Sequence, residues 1–339
     1  MLWGHCIQIC VANTNIDFFE NYVFKFIYSF HMPLFMLISG YLYFYSFSKR
    51  NLKELLIHRT QALLQPLVFC SIFSYLVTTV LFGLMKGNFE PIFNSGWLVT
   101  LSSPSFWFLW SVLSASLVVS IVCKKCNNIF LQISLLIIAI PVVAMFPNGD
   151  NNVYMYPYFV LGFYFAKVKD QLPNIVHKLK YICLPLFPIL LLFYEKKHYI
   201  YTTGIFPIQS YSIDEILLID AYRWIIGLCG SLFVITVLQL IYKHLILKLK
   251  RPILSTALSK MGIKSIQIYT FSVPFLSTYL SVFFPRALSL LNMDNIFVKN
   301  MFVYNFIFTL ALSVAYAFAL YLIIKIFDKL KITKIMFGR

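Results

Sequence analysis

Polar and charged breaks divide the chain into apolar runs at about residues 1–12, 26–47, 62–85, 105–123, 129–147, 153–166, 181–194, 217–242, 263–284 and 300–327. A helix crosses a hydrocarbon core of about 30 Å with about 20 apolar residues, and these runs predict ten candidate spans. The expected fold is all-α: a polytopic integral membrane protein of about ten transmembrane helices. The first run is the exception, because residues 1–12 make only about 18 Å of helix at about 1.5 Å per residue. That span is expected to be truncated, with the chain starting inside it and with no cleaved signal peptide. Breakers sit near several ends: Pro66 at the start of the third run, Pro104 before the fourth and Pro147 after the fifth. No internal repeat, low-complexity tract or appended soluble domain is visible. The long connections 86–104, 195–216 and 285–299 all fall on one side, where their Tyr, Asn, Ser and acidic residues suit an outward-facing acceptor surface.

Composition agrees with a lipid bilayer as the solvent. Of 339 residues 60% are hydrophobic and 12% charged, with a mean hydropathy of +0.80, whereas a soluble domain carries about 25% charge. A single soluble domain is excluded, since so little polar surface cannot wrap so much apolar volume. The net charge is +16, which in a soluble chain would raise the question of nucleic acid. Its placement points elsewhere. With a cytoplasmic start, alternate loops collect Lys49, Arg50, Lys53 and Arg59, then Lys124 and Lys125, then Lys167, Lys169, Lys178 and Lys180. The same side takes Lys243, Lys248, Lys250, Arg251, Lys260 and Lys264, and finally Lys325, Lys329, Lys331, Lys334 and Arg339. The opposite side holds only Lys25, Lys86, Lys196, Lys197, Arg286 and Lys299, with Arg223 inside the eighth run. That asymmetry supports both the span count and a cytoplasmic C-terminus, and it sets nucleic acid aside as a partner.

Cysteine adds little. Of seven, Cys6, Cys10, Cys70, Cys183 and Cys229 lie in apolar runs, where thiols act as small hydrophobes. Cys123 and Cys126 form a CxxC with neither a second pair nor a zinc-spaced histidine, so no metal is expected.

Ionisable groups inside apolar spans are costly and tend to face the protein interior or a water-filled cavity, which makes His5 and His31 the first candidates for chemistry. Counted from Asn13, His5 lies about 12 Å deep; counted from Phe26, His31 lies about 7.5 Å deep. The two fall at similar depth on consecutive antiparallel helices. A neutral imidazole there can take a proton from a hydroxyl, as a general base does, or it can serve as a helix–helix hydrogen bond. Asp220 and Arg223, at i and i+3, read either as a local ion pair or as a glycan-binding pair. The aromatic load of 18% is mainly lipid and interface packing, although Tyr and Trp in an outer cleft can stack on sugars.

Several strings together resemble a known family. They are His31-Met32-Pro33-Leu34-Phe35-Met36-Leu37-Ile38-Ser39-Gly40-Tyr41-Leu42, the basic stretch running into Arg59-Thr60-Gln61-Ala62-Leu63-Leu64-Gln65-Pro66, Trp107-Phe108-Leu109, and Tyr158-Phe159-Val160-Leu161-Gly162. In this order they resemble the acyltransferase 3 family of multi-span bacterial enzymes that O-acetylate cell-surface and secreted polysaccharides, including fucose O-acetylase-like members. The best-matched part is residues 5–66. The resemblance implies a single membrane acyltransferase domain over 1–339 in the bacterial cytoplasmic (inner) membrane. It makes His5 the first-span histidine held to be essential for transfer, and Arg59 the basic residue of the second cytoplasmic boundary. Two departures stand out. The family's arginine about a dozen residues before that histidine would precede Met1. The late segment Met261-Gly262-Ile263-Lys264-Ser265-Ile266-Gln267-Ile268-Tyr269, which in the family often continues to a histidine, continues here as Thr270-Phe271-Ser272.

The implied chemistry needs a passage through the membrane for donor or acyl group. A pantetheine arm of about 15 to 20 Å, entering from the cytoplasm, reaches the middle of a core of about 30 Å. Cations should then wait at the inner mouth for the phosphates of acetyl-CoA, and Lys49, Arg50, Lys53, His58 and Arg59 cluster there. Ordinary positive-inside anchoring is the alternative role for them. The expected reaction moves acetyl from acetyl-CoA to a glycan hydroxyl, with His5 as base or acyl relay and His31 positioning His5 or the acceptor. The rival function is a glycan-precursor transporter or flippase, for which paired halves would be the sign, and none is seen. A non-catalytic membrane scaffold is the third class.

Overall fold

A computed structural model describes residues 1–11, 17–86, 96–171, 173–207, 210–244, 252–274 and 300–337. Asn13, Lys248, Lys250, Arg251, Arg339, residues 87–95 and the loop 285–299 with Arg286 and Lys299 lie outside the described residues. Among the described residues there are helices and turns and no strand.

Every apolar run lies wholly or partly in helix. In chain order these are α1 (Leu2–Cys10), α2 (Tyr22–Lys49), α3 (Leu52–Lys86), α4 (Gly96–Leu101) and α5 (Trp107–Lys125). There follow α6 (Ile129–Ile138), α7 (Ile140–Ala144), α8 (Gly149–Val168), α9 (Pro173–Leu192), α10 (Ile200–Thr203) and α11 (Ile213–Ile241). The described chain ends with α12 (Pro252–Ile263), α13 (Ser265–Pro274), a π-helical segment Val303–Thr309, α14 (Leu310–Lys329) and α15 (Ile332–Phe337). Five helical stretches are long and apolar enough to cross a membrane: Tyr22–Lys49, Leu52–Val80, Pro104–Lys125, Ile213–His244 and Val303–Lys329. With the shorter apolar helices they make an all-α, multi-pass membrane protein.

Three boundaries differ from the pattern in the sequence. Pro66 lies inside α3, which begins at Leu52, so Arg59 sits within a helix rather than in a loop before it. The run 129–147 splits at Ala139, where Pro141 cannot donate into the preceding turn, and α6 and α7 result. In the connection 195–216, residues 195–207 fold into a 3-10 turn at Lys196–His198 and the short α10.

The chain divides into two compact units. The first comprises Met1–Phe24, Gln61–Phe106 and Ile263–Arg339. In it α1 packs on the π-helical segment and α14, and α13 packs on α14. The rings of Phe73, Phe271 and Phe327 meet there. Lys264 pairs with Asp328, which also accepts from Thr333.

The second unit comprises Lys25–Thr60 and Trp107–Gly262. Here small residues let backbones touch. A Cβ on Gly40 would stand 2.0 Å from the Phe159 carbonyl oxygen, and one on Gly162 would stand 2.1 Å from that of Leu37. Gly227 receives Pro33 and the Tyr158 hydroxyl, and Gly230 receives Phe187 and Phe30. These are the close crossings that small residues provide between membrane helices, where lipid supplies no hydrophobic drive. They hold α2, α8, α9 and α11 together and fix the helix that carries His31.

Arg223 of α11 ties the connection 195–216 down. The residue is fully buried. Its Nε donates to the His198 carbonyl at 3.1 Å, and Nη1 donates to Asp220 Oδ1 and to the Gly204 carbonyl, each at 2.7 Å. Nη2 donates to the Lys197 carbonyl at 2.7 Å and to Thr203 Oγ1. Gly204 has φ +71°, a left-handed conformation that glycine adopts without a steric penalty. Of the two roles open to Asp220 and Arg223, the local ion pair is the one present, at 2.7 Å.

Candidate active site

His5 belongs to the first unit. It is half-buried on α1, a helix held by a polar network around the π-helical segment. The wider turn of that segment accompanies burial of Tyr304, Asn305 and Thr309. Trp3 Nε1 donates to the Asn305 carbonyl at 3.2 Å and to Thr309 Oγ1 at 3.0 Å. The Tyr304 hydroxyl donates to the Ile7 carbonyl at 2.6 Å, and Asn21 Nδ2 donates to Asn305 Oδ1 at 2.7 Å. His5 Nδ1 donates to Gln8 Oε1 at 3.0 Å. An amide oxygen can only accept, so this bond places the ring proton on Nδ1 and the lone pair on Nε2. That is the tautomer of a proton acceptor.

His31 belongs to the second unit and is buried on α2. Its Nδ1 donates to the Ile27 carbonyl at 2.8 Å, which again leaves the lone pair on Nε2. The Tyr28 ring meets it edge-on with centroids 4.7 Å apart. Pro33, two residues on, removes a backbone donor from this stretch of α2.

The cation cluster also belongs to the second unit, at the C-terminal end of α2 and the start of α3. The Arg59 guanidinium carbon lies 4.2 Å from the Tyr43 ring centroid, and Arg59 Nε is buried with no hydrogen-bond partner. Tyr43 is itself fully buried and is held by the Ser116 carbonyl and Ser120 Oγ. Arg50 donates to Ser46 Oγ and is near enough for its charge to act on Arg59. Lys124 sits 4.3 Å from the Phe47 ring centroid. Lys169 donates to the Tyr45 and Tyr41 hydroxyls at 2.9 and 3.1 Å, and those hydroxyls hold its ammonium above the usual lysine range. Lys53 and His58 are exposed on the first turns of α3. Among the described residues, Arg50, Arg59, Lys124 and Lys169 form no ion pair with a carboxylate. Unneutralised cations lying against aromatic rings suit a ligand with phosphates and a flat ring system.

The sequence named Arg50, Lys53, His58 and Arg59 but missed Lys169 and the rings. Tyr41 and Tyr45, at i and i+4, were a visible signal of a shared helix face. Tyr43 carried none, because its contact with Arg59 joins two helices. In the late segment, Thr270 donates to the Ile266 and Gln267 carbonyls at 3.0 and 3.1 Å, and Ser272 donates to the Tyr269 carbonyl at 2.7 Å. These hydroxyls serve their own helix where the family often has a histidine.

Comparison with known proteins adds an independent line. The family model described as an acyltransferase domain matches residues 1–322. Two relatives are named Nodulation protein NolL. That of Mesorhizobium japonicum is 28% identical over 55% of this chain and 49% of its own length. That of Sinorhizobium fredii is 29% identical over 63% of this chain and 59% of its own length. The chain thus spans about half to three-fifths of the length of the curated relatives it matches. No solved structure matches it.

Proposed function

The chain belongs to the acyltransferase 3 family, and from that premise we propose that it is a membrane O-acetyltransferase. It takes acetyl from cytosolic acetyl-CoA and places it on a hydroxyl of a cell-surface or exported polysaccharide, or of the lipid-linked precursor. It works in the bacterial cytoplasmic membrane with its C-terminus inside. The observation that supports an anionic donor most directly is Arg59, whose buried Nε has no partner and whose charge no carboxylate neutralises among the described residues. A buried, unsatisfied guanidinium donor is costly, and a phosphate oxygen would satisfy it. Arg50, Lys53 and His58 would add to the hold on the CoA phosphates.

In the transfer, the acceptor hydroxyl attacks the thioester carbonyl carbon, a C–O bond forms and the C–S bond breaks. The hydroxyl proton passes to an imidazole Nε2, and the coenzyme A thiolate leaves and is protonated. His5 is the proposed base, and its Nδ1–Gln8 bond supports that role by placing the lone pair on Nε2. His31 carries its lone pair likewise and is proposed to engage the acceptor.

Transfer of radiolabelled acetyl from acetyl-CoA to envelope glycan, measured in membranes containing the protein, tests this. Wild type should label the glycan. His5→Ala should lose about 10²- to 10⁴-fold in rate, the usual worth of a general base, while inserting normally. Full labelling by His5→Ala would reject the base, and glycan export without any acetyl transfer by wild type would favour a transporter.

A further inference from the structure

We infer that Tyr201 and Tyr28, backed by the buried Tyr199, form the acceptor-sugar subsite, a run of rings that leads from the loop carrying Tyr199 and Tyr201 to His31. The inference rests on the transferase reading above and names where its acceptor binds.

The rings lie within one unit and are spaced for it. Tyr28 stands 4.7 Å from His31, 6.4 Å from Tyr199 and 6.0 Å from Tyr201, centroid to centroid. Tyr199 and Tyr201 are 5.7 Å apart. Exposure changes along the run: Tyr201 is 48% exposed, Tyr28 is intermediate and His31 is 7% exposed, while Tyr199 is fully buried and backs the other two rings. One end is therefore open at the surface while the other meets the buried His31 ring. Tyr28 and His31, at i and i+3, share one face of α2.

The loop that brings Tyr199 and Tyr201 to α2 is fixed more firmly than a connection needs. Arg223 grips it at Lys197, His198, Thr203 and Gly204, which bracket the two tyrosines on both sides. Thr202 Oγ1 closes the turn on the Lys196 and Tyr199 carbonyls at 2.8 and 2.7 Å. Asp220, which neutralises Arg223, also accepts from the Phe206 amide at 3.4 Å. Holding a guanidinium away from water is costly unless it is paired and bonded, so this arrangement gives a preset loop geometry rather than a mobile lid.

A sugar fits these rings chemically. A pyranose has an apolar C–H face and a rim of hydroxyls, and a tyrosine ring offers an apolar face with a hydroxyl at its edge. Stacking against Tyr201 and Tyr28 would turn a rim hydroxyl toward His31 Nε2.

The test uses the host's own envelope polysaccharide, stripped of its O-acetyl groups by mild alkali and titrated against fixed radiolabelled acetyl-CoA. Tyr201→Ala should raise the half-saturating polysaccharide concentration at least about fivefold and leave the KM for acetyl-CoA within about twofold, the scale of one lost sugar–aromatic contact. Tyr201→Trp, which keeps a stacking face, should stay near wild type. An unchanged half-saturation in Tyr201→Ala, or an equal rise in the KM for acetyl-CoA, would overturn the subsite. Wild type that acetylates no polysaccharide would instead remove the transferase reading, and the subsite with it. The thermal midpoint in detergent should be the same for both variants and wild type. A large drop for Tyr201→Ala with a parallel loss for Tyr201→Trp would make the ring structural and overturn the subsite as well.

Discussion

Arg59 lies against Tyr43 with its guanidinium carbon 4.2 Å from the ring centroid, while Tyr43 is anchored in turn to Ser116 and Ser120 of α5. The stack pre-orients a cation that has no counter-ion of its own among the described residues. Replacing Arg59 by Gln should therefore act on donor binding. One or two lost charge-assisted hydrogen bonds, worth about 1.5 to 3 kcal/mol each, imply a rise of at least about 10-fold in the KM for acetyl-CoA. Arg59→Lys should recover only part, since an ammonium cannot present a planar fork. Initial-rate kinetics with varied acetyl-CoA checks both variants, and an unchanged KM in Arg59→Gln would remove Arg59 from the donor site.

The buried pair of Asp220 and Arg223 gives a stability prediction. Asp220→Asn keeps the shape but leaves a fully buried guanidinium without its counter-charge. The cost should be about 3 kcal/mol or more, because an unpaired buried charge is far worse than no charge at all. A marked fall in the thermal midpoint of the purified protein in detergent is the expected result.

How much of this was open to the sequence follows from the range of each interaction. Asp220 and Arg223 are one helical turn apart, so spacing offered a local ion pair beside a glycan-binding role, and the structure shows the ion pair. The apolar runs were equally plain, since period and length are local properties. The splitting of 129–147 at Ala139 was foreshadowed by Pro141, yet the start of α3 at Leu52 was hidden by a charged first turn that reads as loop. The contacts of Arg59, Lys124 and Lys169 with their aromatic rings were out of reach, because each joins two different helices, although the shared face of Tyr41 and Tyr45 was visible in their spacing. His5 and His31 were singled out as ionisable groups in apolar runs, but their tautomers depend on Gln8 and Ile27 being in bonding geometry, which is a property of the folded helices.

His198 gives a pH dependence. Its Nδ1 accepts from the Glu195 amide at 2.9 Å, and its ring lies against Tyr194 and Tyr222. Burial, with the nearby Lys197 charge, lowers its pKa from 6.5 to about 4. The unfolded chain takes up this proton near pH 6.5 and the folded loop only near pH 4, so the folded state loses stability as pH falls through that window. Above about pH 6.5 the contribution is complete. His198→Asn, whose Oδ1 can replace Nδ1 as acceptor, should flatten the thermal midpoint between about pH 6.5 and about pH 4. An unchanged pH profile in that variant would show that other groups set it.

Crowding between α2 and α8 gives the last prediction. A Cβ at Gly40 would fall 2.0 Å from a backbone oxygen of Phe159, an atom that cannot rotate away. Gly40→Ala should therefore force the helices apart and destabilise by about 1 to 3 kcal/mol, with a matching loss in yield of folded protein. A thermal midpoint equal to wild type would show that the crossing relaxes freely.

The reciprocal contacts, Gly40 against Phe159 and Gly162 against Leu37, have a mechanical consequence. Leu37 and Gly40 lie one turn apart on α2, as do Phe159 and Gly162 on α8, so the two contacts make one crossing at which backbone meets backbone with no side chain between. His31 lies on one side of that crossing along α2 and the tyrosines that back the cations lie on the other, so one helix seated at one point carries both.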